Sequence, residues 1–196
     1  GAALGTGAFT TVEAQRTVAI DTAGDASAFL GLTPARQGGD FVDDSGDTII
    51  IDLDGGDGHN NTNASPNACG QGLNQNAVTT FRNLVTVTNN GTQAVNSLSL
   101  TMDHSGDTDG DMTDSDLEDT FDFTVAEGGS RGMVGNGENI LSASQVSISN
   151  LGSGSSINFG IQIDLINGGN GSGDLPDGDY TLTIRAETST TGNSSA

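Results

Sequence analysis

The chain has 196 residues, enough for one sizeable domain with its own core, and it carries 26 acidic side chains, five arginines and no lysine, for a formal net charge of −21. A surface of this charge repels nucleic acids and anionic membranes, which argues against both as partners. A preference for Asp over Glu and the absence of Lys favour a folded domain adapted to molar salt, where the Debye length is only ~3 Å. An ordinary acidic secreted protein is the alternative.

The first twelve residues, Gly1 to Val12, contain no charged side chain. Chain ends are usually polar and frayed, so this composition predicts a strand whose partner is not obvious from the sequence. Pairing within its own subunit and the remnant of a signal peptide are the two alternatives. The small residues Gly1 to Ala3 resemble the region around an export cleavage site, so we expect a removed signal peptide and an extracellular location at the cell surface.

Alternation of apolar and polar residues is the dominant pattern in the rest of the chain, and it also argues against intrinsic disorder. The segment "DSDLEDTF" indicates a short turn of helix. We predict an all-β fold, an antiparallel two-sheet sandwich of jelly-roll or Greek-key type over residues 13–188, with a flexible Ser- and Thr-rich tail at 189–196. In chain order, the predicted buried positions are Val18 and Ile20; Ile49, Ile51 and Leu53; Phe81, Val85 and Val87; Leu98, Leu100 and Met102; Phe121, Phe123 and Val125; Val146 and Ile148; Ile157, Phe159, Ile161, Ile163 and Leu165; and Tyr180, Leu182, Ile184 and Ala186.

An Asp-rich stretch, "DHSGDTDGDMTDSDLED", lies between two of these strands. Hard oxygen ligands at alternating positions in a flexible loop suit calcium, which takes 6–8 oxygen ligands. The frame of an EF-hand is missing, and Asp-rich loops are common in salt-adapted proteins, so a loop without a cation is the alternative. The candidate calcium ligands are Asp107, Asp109, Asp111, Asp114 and Asp116.

Two further features concern modification of the chain. N-x-S/T sequons predict surface sites for N-linked glycans in a secreted protein. Cys69 is the one cysteine, so it forms no disulfide within the chain, and it is either inert or a link between two copies. The candidate glycan acceptors are Asn60, Asn63, Asn90, Asn170 and Asn193.

Signals for catalysis are poor. The two histidines, His59 and His104, fall in predicted loops, and neither H-E-x-x-H nor G-x-S-x-G occurs. Gly-rich stretches such as "GNGEN" are better explained as turns than as phosphate loops. We therefore expect no enzymatic activity.

Three segments resemble a family of secreted haloarchaeal proteins: "GTGAFTTVEAQRTVAIDTAGDASAFLGL", "GLNQNAVTTFRNLVTVTNNGTQAV" and "LPDGDYTLTIRAET". The group is similar to the TasA/camelysin-like jelly-roll proteins, which include biofilm-matrix fibre subunits and archaeal bundling pilins. That resemblance implies polymerisation by donor-strand complementation, in which the N-terminal segment of one subunit completes a sheet in the next. On this chain the implied donor residues are Ala2, Leu4, Thr6, Ala8, Phe9 and Val12.

Two functions follow as expectations. The first is a structural subunit of an extracellular filament, a homopolymer of identical subunits in a pilus or biofilm matrix. The second is a monomeric, calcium-dependent cell-surface or carbohydrate-binding module of the same fold class. A single Tyr and the absence of Trp argue against sugar binding.

Overall fold

A computed structural model describes residues 17–21, 30–35, 41–44, 49–53, 73, 76–106, 112–127, 129–146, 148–169, 175 and 179–188. Nearly all regular structure in these ranges is β, as the alternation predicts. The helical elements are α1 (Asp114–Thr120) and a 3₁₀ turn at Ile140–Ser142. The strands are β1 (Thr17–Asp21), β2 (Leu30–Pro34), β3 (Val42–Asp43), β4 (Ile49–Asp52), β5 (Val78–Asn89), β6 (Val95–Ser105), β7 (Phe121–Glu127), β8 (Ser130–Gly135), β9 (Ser156–Asp164) and β10 (Asp179–Thr188).

The strands form two five-stranded sheets. In sheet A the order is β3-β4-β1-β10-β6, and in sheet B it is β2-β5-β9-β7-β8. All pairings are antiparallel except that of β1 with β10, which is parallel. This parallel pair departs from the purely antiparallel sandwich predicted by the sequence, because β1 enters between β4 and β10 rather than beside its neighbour along the chain.

One hydrophobic core lies between the sheets and takes side chains from both. The predicted faces of β6, β7, β9 and β10 are all confirmed as buried. Across the core, the rings of Phe121 in sheet B and Tyr180 in sheet A lie 5.5 Å apart, and at another point Phe41 and Phe81 meet edge to face at 5.3 Å. Fully burying each such side chain contributes roughly 1.5–3 kcal/mol, so the core is the main source of stability.

The elements around α1 mark one end of the molecule, which we call the α1 end. There β6 ends at Ser105, opposite the start of β10 at Asp179. The chain then forms α1, as the segment "DSDLEDTF" predicts, and continues into β7. The first residue of β1, Thr17, is paired with Asp52 at the end of β4. β1 therefore begins at the α1 end.

Two sequence predictions about local structure were wrong. Val146 and Ile148 were expected to form a strand, but they follow the 3₁₀ turn in non-strand backbone, with Val146 buried. The Gly-rich segment "EGGSRGMVGNGEN", whose composition is typical of a loop between strands, contains β8, which pairs with β7 from Asp122 to Glu127. Glycine weakens intrinsic strand propensity, and here tertiary pairing overrides it.

A bulge in β5 changes the register with β9 between Phe81 and Val85. Asn83 at its centre has φ 51°, a left-handed conformation that costs energy for a non-glycine residue. The bulge passes directly over Gly160 of β9, where a Cβ atom would lie 2.1 Å from the Phe81 carbonyl oxygen and 2.7 Å from Thr124 Oγ1. Glycine at 160 is therefore a condition for the bulge.

We expect Gly160→Ala to destabilise the protein by about 1–3 kcal/mol, because the added methyl group must push the β5 backbone away from β9. A Cβ on Gly152 would meet Ser155 Oγ at 3.5 Å, an ordinary contact, so Gly152→Ala is the matched control. Chemical denaturation monitored by circular dichroism measures both. Equal stability of the two variants would contradict this account of the bulge.

Candidate functional site

The donor residues implied by the resemblance, Ala2, Leu4, Thr6, Ala8, Phe9 and Val12, lie outside the described residues. The first described strand, β1, is paired on both sides within its own sheet, with Val18 opposite Tyr180 of β10 and Ile51 of β4. Polymerisation through a strand also needs an acceptor, and acceptors are found at sheet edges, where backbone N–H and C=O groups lack a partner strand. Among the described strands, those at the edges are β3 and β6 in sheet A and β2 and β8 in sheet B.

The outer edge of β6 is occupied by residues of its own chain. At the start of the strand, Val95 and Leu151 exchange two backbone hydrogen bonds of 2.8 and 3.0 Å. Further along, the Leu98 N–H donates to Asn139 Oδ1 at 2.9 Å. The same Asn139 oxygen accepts from the N–H of Leu141 at 3.1 Å and so also caps the 3₁₀ turn.

Further along β6, the turn that contains Asn136 covers the same edge of the strand. Asn136 binds Met102 twice, with the Met102 N–H donating to Oδ1 at 2.6 Å and Nδ2 donating to the Met102 carbonyl at 3.2 Å. Between the two asparagines, the Gly137 N–H donates to the Leu100 carbonyl at 2.7 Å. Side-chain amides here take the place of the peptide groups of a neighbouring strand, so the edge of β6 is closed to an incoming strand between Val95 and Met102.

The side of the sandwich between β6 and β8 is also filled. After Asn139 the chain buries Ile140, Leu141, Ala143 and Val146 in the core. Its backbone approaches β8 so closely that a Cβ on Gly132 would lie 2.2 Å from the Ser144 carbonyl oxygen. This connection seals one side of the core with residues of the same chain.

The outer edge of β2 differs. The Ala35 N–H donates to the Leu84 carbonyl at 2.8 Å, and β2 pairs with β5 in regular antiparallel register. Because antiparallel ladders alternate, the backbone groups of Leu30 and Leu32 point away from β5. Pro34, which has no N–H, occupies an outward position where proline is tolerated. Leu30 and Leu32 are half-buried against the core, and no strand in the described ranges pairs with this side of β2.

The Asp-rich connection is described in part. Asp107, Asp109 and Asp111 lie outside the described residues, whereas Asp114 and Asp116 lie in the first turn of α1. Asp116 belongs to a capping box: its Oδ2 accepts hydrogen bonds from the Thr113 N–H at 2.8 Å and the Thr113 hydroxyl at 2.6 Å. The hydroxyl and then the amide of Thr113 lower the pKa of Asp116. Within the described ranges, no three His, Cys, Asp or Glu side chains are grouped to hold a metal ion.

Sequence reasoning did not single out Asp122, a partly buried carboxylate on β7 of sheet B. Burial, followed by repulsion from Asp164 and Glu138, raises the pKa of Asp122 on β7. Burial also acts to raise the pKa of Asp164, but hydrogen bonds from the Asn167 side chain, the Asn167 N–H and the Ile166 N–H outweigh it and leave that pKa lowered. Asp122 is therefore a carboxylate whose charged form the fold disfavours.

Of the candidate glycan acceptors, Asn90 lies in the described part of the chain, and Asn60, Asn63, Asn170 and Asn193 lie outside it. Asn90 is exposed in the turn between β5 and β6, with its Nδ2 next to Gly31 of β2. Its neighbour Asn89 is buried and makes structural bonds: Nδ2 donates to the carbonyls of Gln93 and Leu151, and Oδ1 accepts from the Gly91 N–H. The turn thus presents one asparagine to solvent and uses the other to hold the loop before β9.

The prediction that His104 lies in a loop was wrong, because His104 lies in β6. The His104 ring packs on Tyr180 with 4.5 Å between ring centroids. His59 and Cys69 lie outside the described residues. No helix in the described ranges is both long and apolar enough to cross a membrane.

No protein-family model matches this chain, and none of the curated proteins matches it significantly. The family resemblance seen in the sequence, and the donor residues that it implies, therefore stay predictions.

Replacing Asn136 with Ala should destabilise the protein by roughly 1–3 kcal/mol, because the peptide groups of Met102 lose both partners at the edge of β6. Hydrogen exchange at the Met102 amide should accelerate more than exchange at amides inside the sheet. Asn150→Ala is the control, since Asn150 is exposed and its side chain makes one long bond of 3.5 Å to Ser149. Unchanged exchange at Met102 would show that the asparagine does not protect this edge.

Asp122→Asn should raise the melting temperature at neutral pH. Because the folded-state pKa is raised, the protonated form stabilises the fold below the unfolded pKa of ~3.9, and that stability is lost as the pH rises through the folded pKa. Asparagine keeps the uncharged state at every pH, so the advantage of the variant should vanish in acid. Thermal denaturation between acid and neutral pH tests this, with the exposed Asp179→Asn as a control for net charge.

Proposed function

We propose that this protein is a non-catalytic structural subunit of an extracellular filament, a pilus or matrix fibre of jelly-roll subunits at the cell surface. Residues 1–12 of one subunit act as the donor strand, and the outer edge of β2 in the next subunit is the acceptor. The observation that carries the proposal is the contrast between edges. The edge of β6 is covered by its own chain, whereas β2 directs the backbone groups of Leu30 and Leu32 away from β5, while their half-buried side chains pack against the core.

The composition of the donor suits this edge. A segment added to a sheet must be slender, uncharged and free of proline, and residues 1–12 meet all three conditions. If buried, Leu4, Phe9 and Val12 would each contribute roughly 1.5–3 kcal/mol, and each backbone hydrogen bond ~0.5–1.5 kcal/mol. These contributions oppose an ordering cost of ~1–2 kcal/mol per residue.

The geometry of such a contact favours an open polymer. A donor at one site and an acceptor at another form a heterologous contact, which repeats without closing unless the rotation between subunits happens to form a ring. β1 begins at the α1 end in sheet A, and the proposed acceptor edge, β2, belongs to sheet B. Donor and acceptor are thus different surfaces of each subunit, as an open filament requires.

The acidic surface and the glycan acceptors fit an exposed filament in salty surroundings. Hydrated carboxylates keep the particle soluble, and salt screens their repulsion between adjacent subunits. Asn90, exposed next to β2, is a position where an N-linked glycan would lie near the proposed contact without replacing a core residue.

Deleting residues 1–12 should abolish filaments while leaving a folded, soluble protein, since all described strands begin at Thr17 or later. Electron microscopy and light scattering measure assembly, and circular dichroism measures folding. Filaments from the truncated chain would contradict the donor assignment.

The acceptor is tested separately by Leu32→Arg, which places a charge among the half-buried side chains of β2. The matched control is Thr33→Arg, because Thr33 is exposed and its side chain lies on the other face of the strand. We expect the control to assemble and Leu32→Arg to assemble poorly. Normal filaments from both variants would place the acceptor at another edge.

A further inference from the structure

A shallow hollow lies on the outer face of sheet B, over the β5 bulge. Two arginines, Arg82 of β5 and Arg131 of β8, line it, and both are exposed. The strands that carry them are not neighbours, since β9 and β7 lie between β5 and β8. The other lining residues are Asn83, Thr124, Val125 and Ala126.

The bulge in β5 places Arg82 at the same hollow as Arg131. Without the bulge, β5 would continue in regular register with β9, and β9 would separate Arg82 from β7. The close approach at Gly160 lets the β5 backbone lie across β9 against Thr124, whose side chain is 4% exposed even though it is on the outer face of the sheet. Asn83, at the centre of the bulge, has a left-handed backbone with φ 51°, and residues in sparsely populated backbone regions are concentrated at functional sites.

The charge of the hollow is unusual for this molecule. The chain has five arginines, no lysine and 26 acidic residues. Of the three arginines in the described ranges, Arg185 forms an ion pair with Glu187 at 2.9 Å. Neither Arg82 nor Arg131 forms an ion pair with a carboxylate in the described part of the chain. Two arginines that have no ion-pair partner among the described residues therefore line one hollow on a protein of net charge −21.

We propose that this hollow is a carboxylate-binding site and that its occupant is an acidic segment of a second copy of the same chain. Guanidinium groups bind carboxylates through paired, charge-assisted hydrogen bonds. Screening in molar salt removes long-range attraction but acts least on groups in direct contact, so such a contact is compatible with a salt-adapted protein. A second copy is the occupant that charge complementarity on this molecule favours.

This contact goes beyond the donor-strand proposal and does not depend on it. It uses the outer face of a sheet, formed by side chains, whereas strand addition uses the edge of β2, formed by backbone groups. Loss of one therefore need not remove the other, and the two are measured by different variants.

The absence of lysine permits a direct test on the full-length chain. Arg131→Lys and, separately, Arg82→Lys keep the positive charge and introduce the one lysine amine of the protein. A zero-length carbodiimide then joins that amine to any carboxylate in contact with it. Equal mixtures of ¹⁴N- and ¹⁵N-labelled protein distinguish links between copies from links within a copy by mass spectrometry. Arg185→Lys is the matched control, since its neighbour Glu187 is on the same strand.

We expect Lys at 82 or 131 to link to Asp or Glu peptides of the other isotope, and Lys at 185 to link within its own chain. Adding Arg82→Gln to Arg131→Lys should lower the yield between copies roughly tenfold, the effect of losing one charge-assisted hydrogen bond. Links within one copy only, or equal yields between copies at 82, 131 and 185, would overturn the proposal. So would tight binding of an added polyanion with no link between copies, which would assign the hollow to a different ligand.

Discussion

Hydrogen bonding of the backbone at the sheet edges is the constraint on which the rest of this structure depends. A sandwich of two open sheets has four edge strands, and each presents peptide groups that must be bound by water, by the same chain or by another chain. At β6 the protein solves this with side chains, as Asn136 and Asn139 bind the peptide groups of Met102 and Leu98. A closed edge on one side restricts any strand-based assembly to the remaining edges.

The segment that closes the β6 edge also completes the core. After Asn139 the chain buries Ile140 and Leu141 and passes over Gly132 at a distance that leaves no room for a side chain. The same segment therefore protects the β6 edge and packs in the core, so replacing Asn136 or Asn139 would affect both the edge and the core. On the β2 side, in contrast, leucines are half-buried and the outward peptide groups have no described strand beside them.

Charge adds a second level of organisation. Carboxylates are so numerous that, on average, any two surfaces of this protein repel each other, and salt weakens that repulsion without making it attractive. Specific association must then come from strand addition, from apolar contact or from the few cations. The β5 bulge places two of those cations, Arg82 and Arg131, at one hollow. Asp122 is a carboxylate at a position where burial and neighbouring carboxylates disfavour its charged form.

The sequence by itself determined the β class and the buried faces of the long strands, because alternation is a local property that each strand carries independently of its partners. Phe123, Phe159 and Ile184 were identified as core residues for this reason, and the structure buries all three. The capping sequence before α1 is similarly local, since Thr113 and Asp116 are three residues apart.

Tertiary structure alone decided which strands pair, and in which direction. The parallel contact of β1 with β10 joins residues more than 150 positions apart, and no local pattern encodes it. β8 is recognisable as a strand because β7 pairs with it, and Val146 is buried without being in a strand because the 3₁₀ turn places it there. The roles of Asn136, Asn139 and the two arginines of the hollow likewise depend on distant partners, since an edge or a hollow exists only after the sheets have formed.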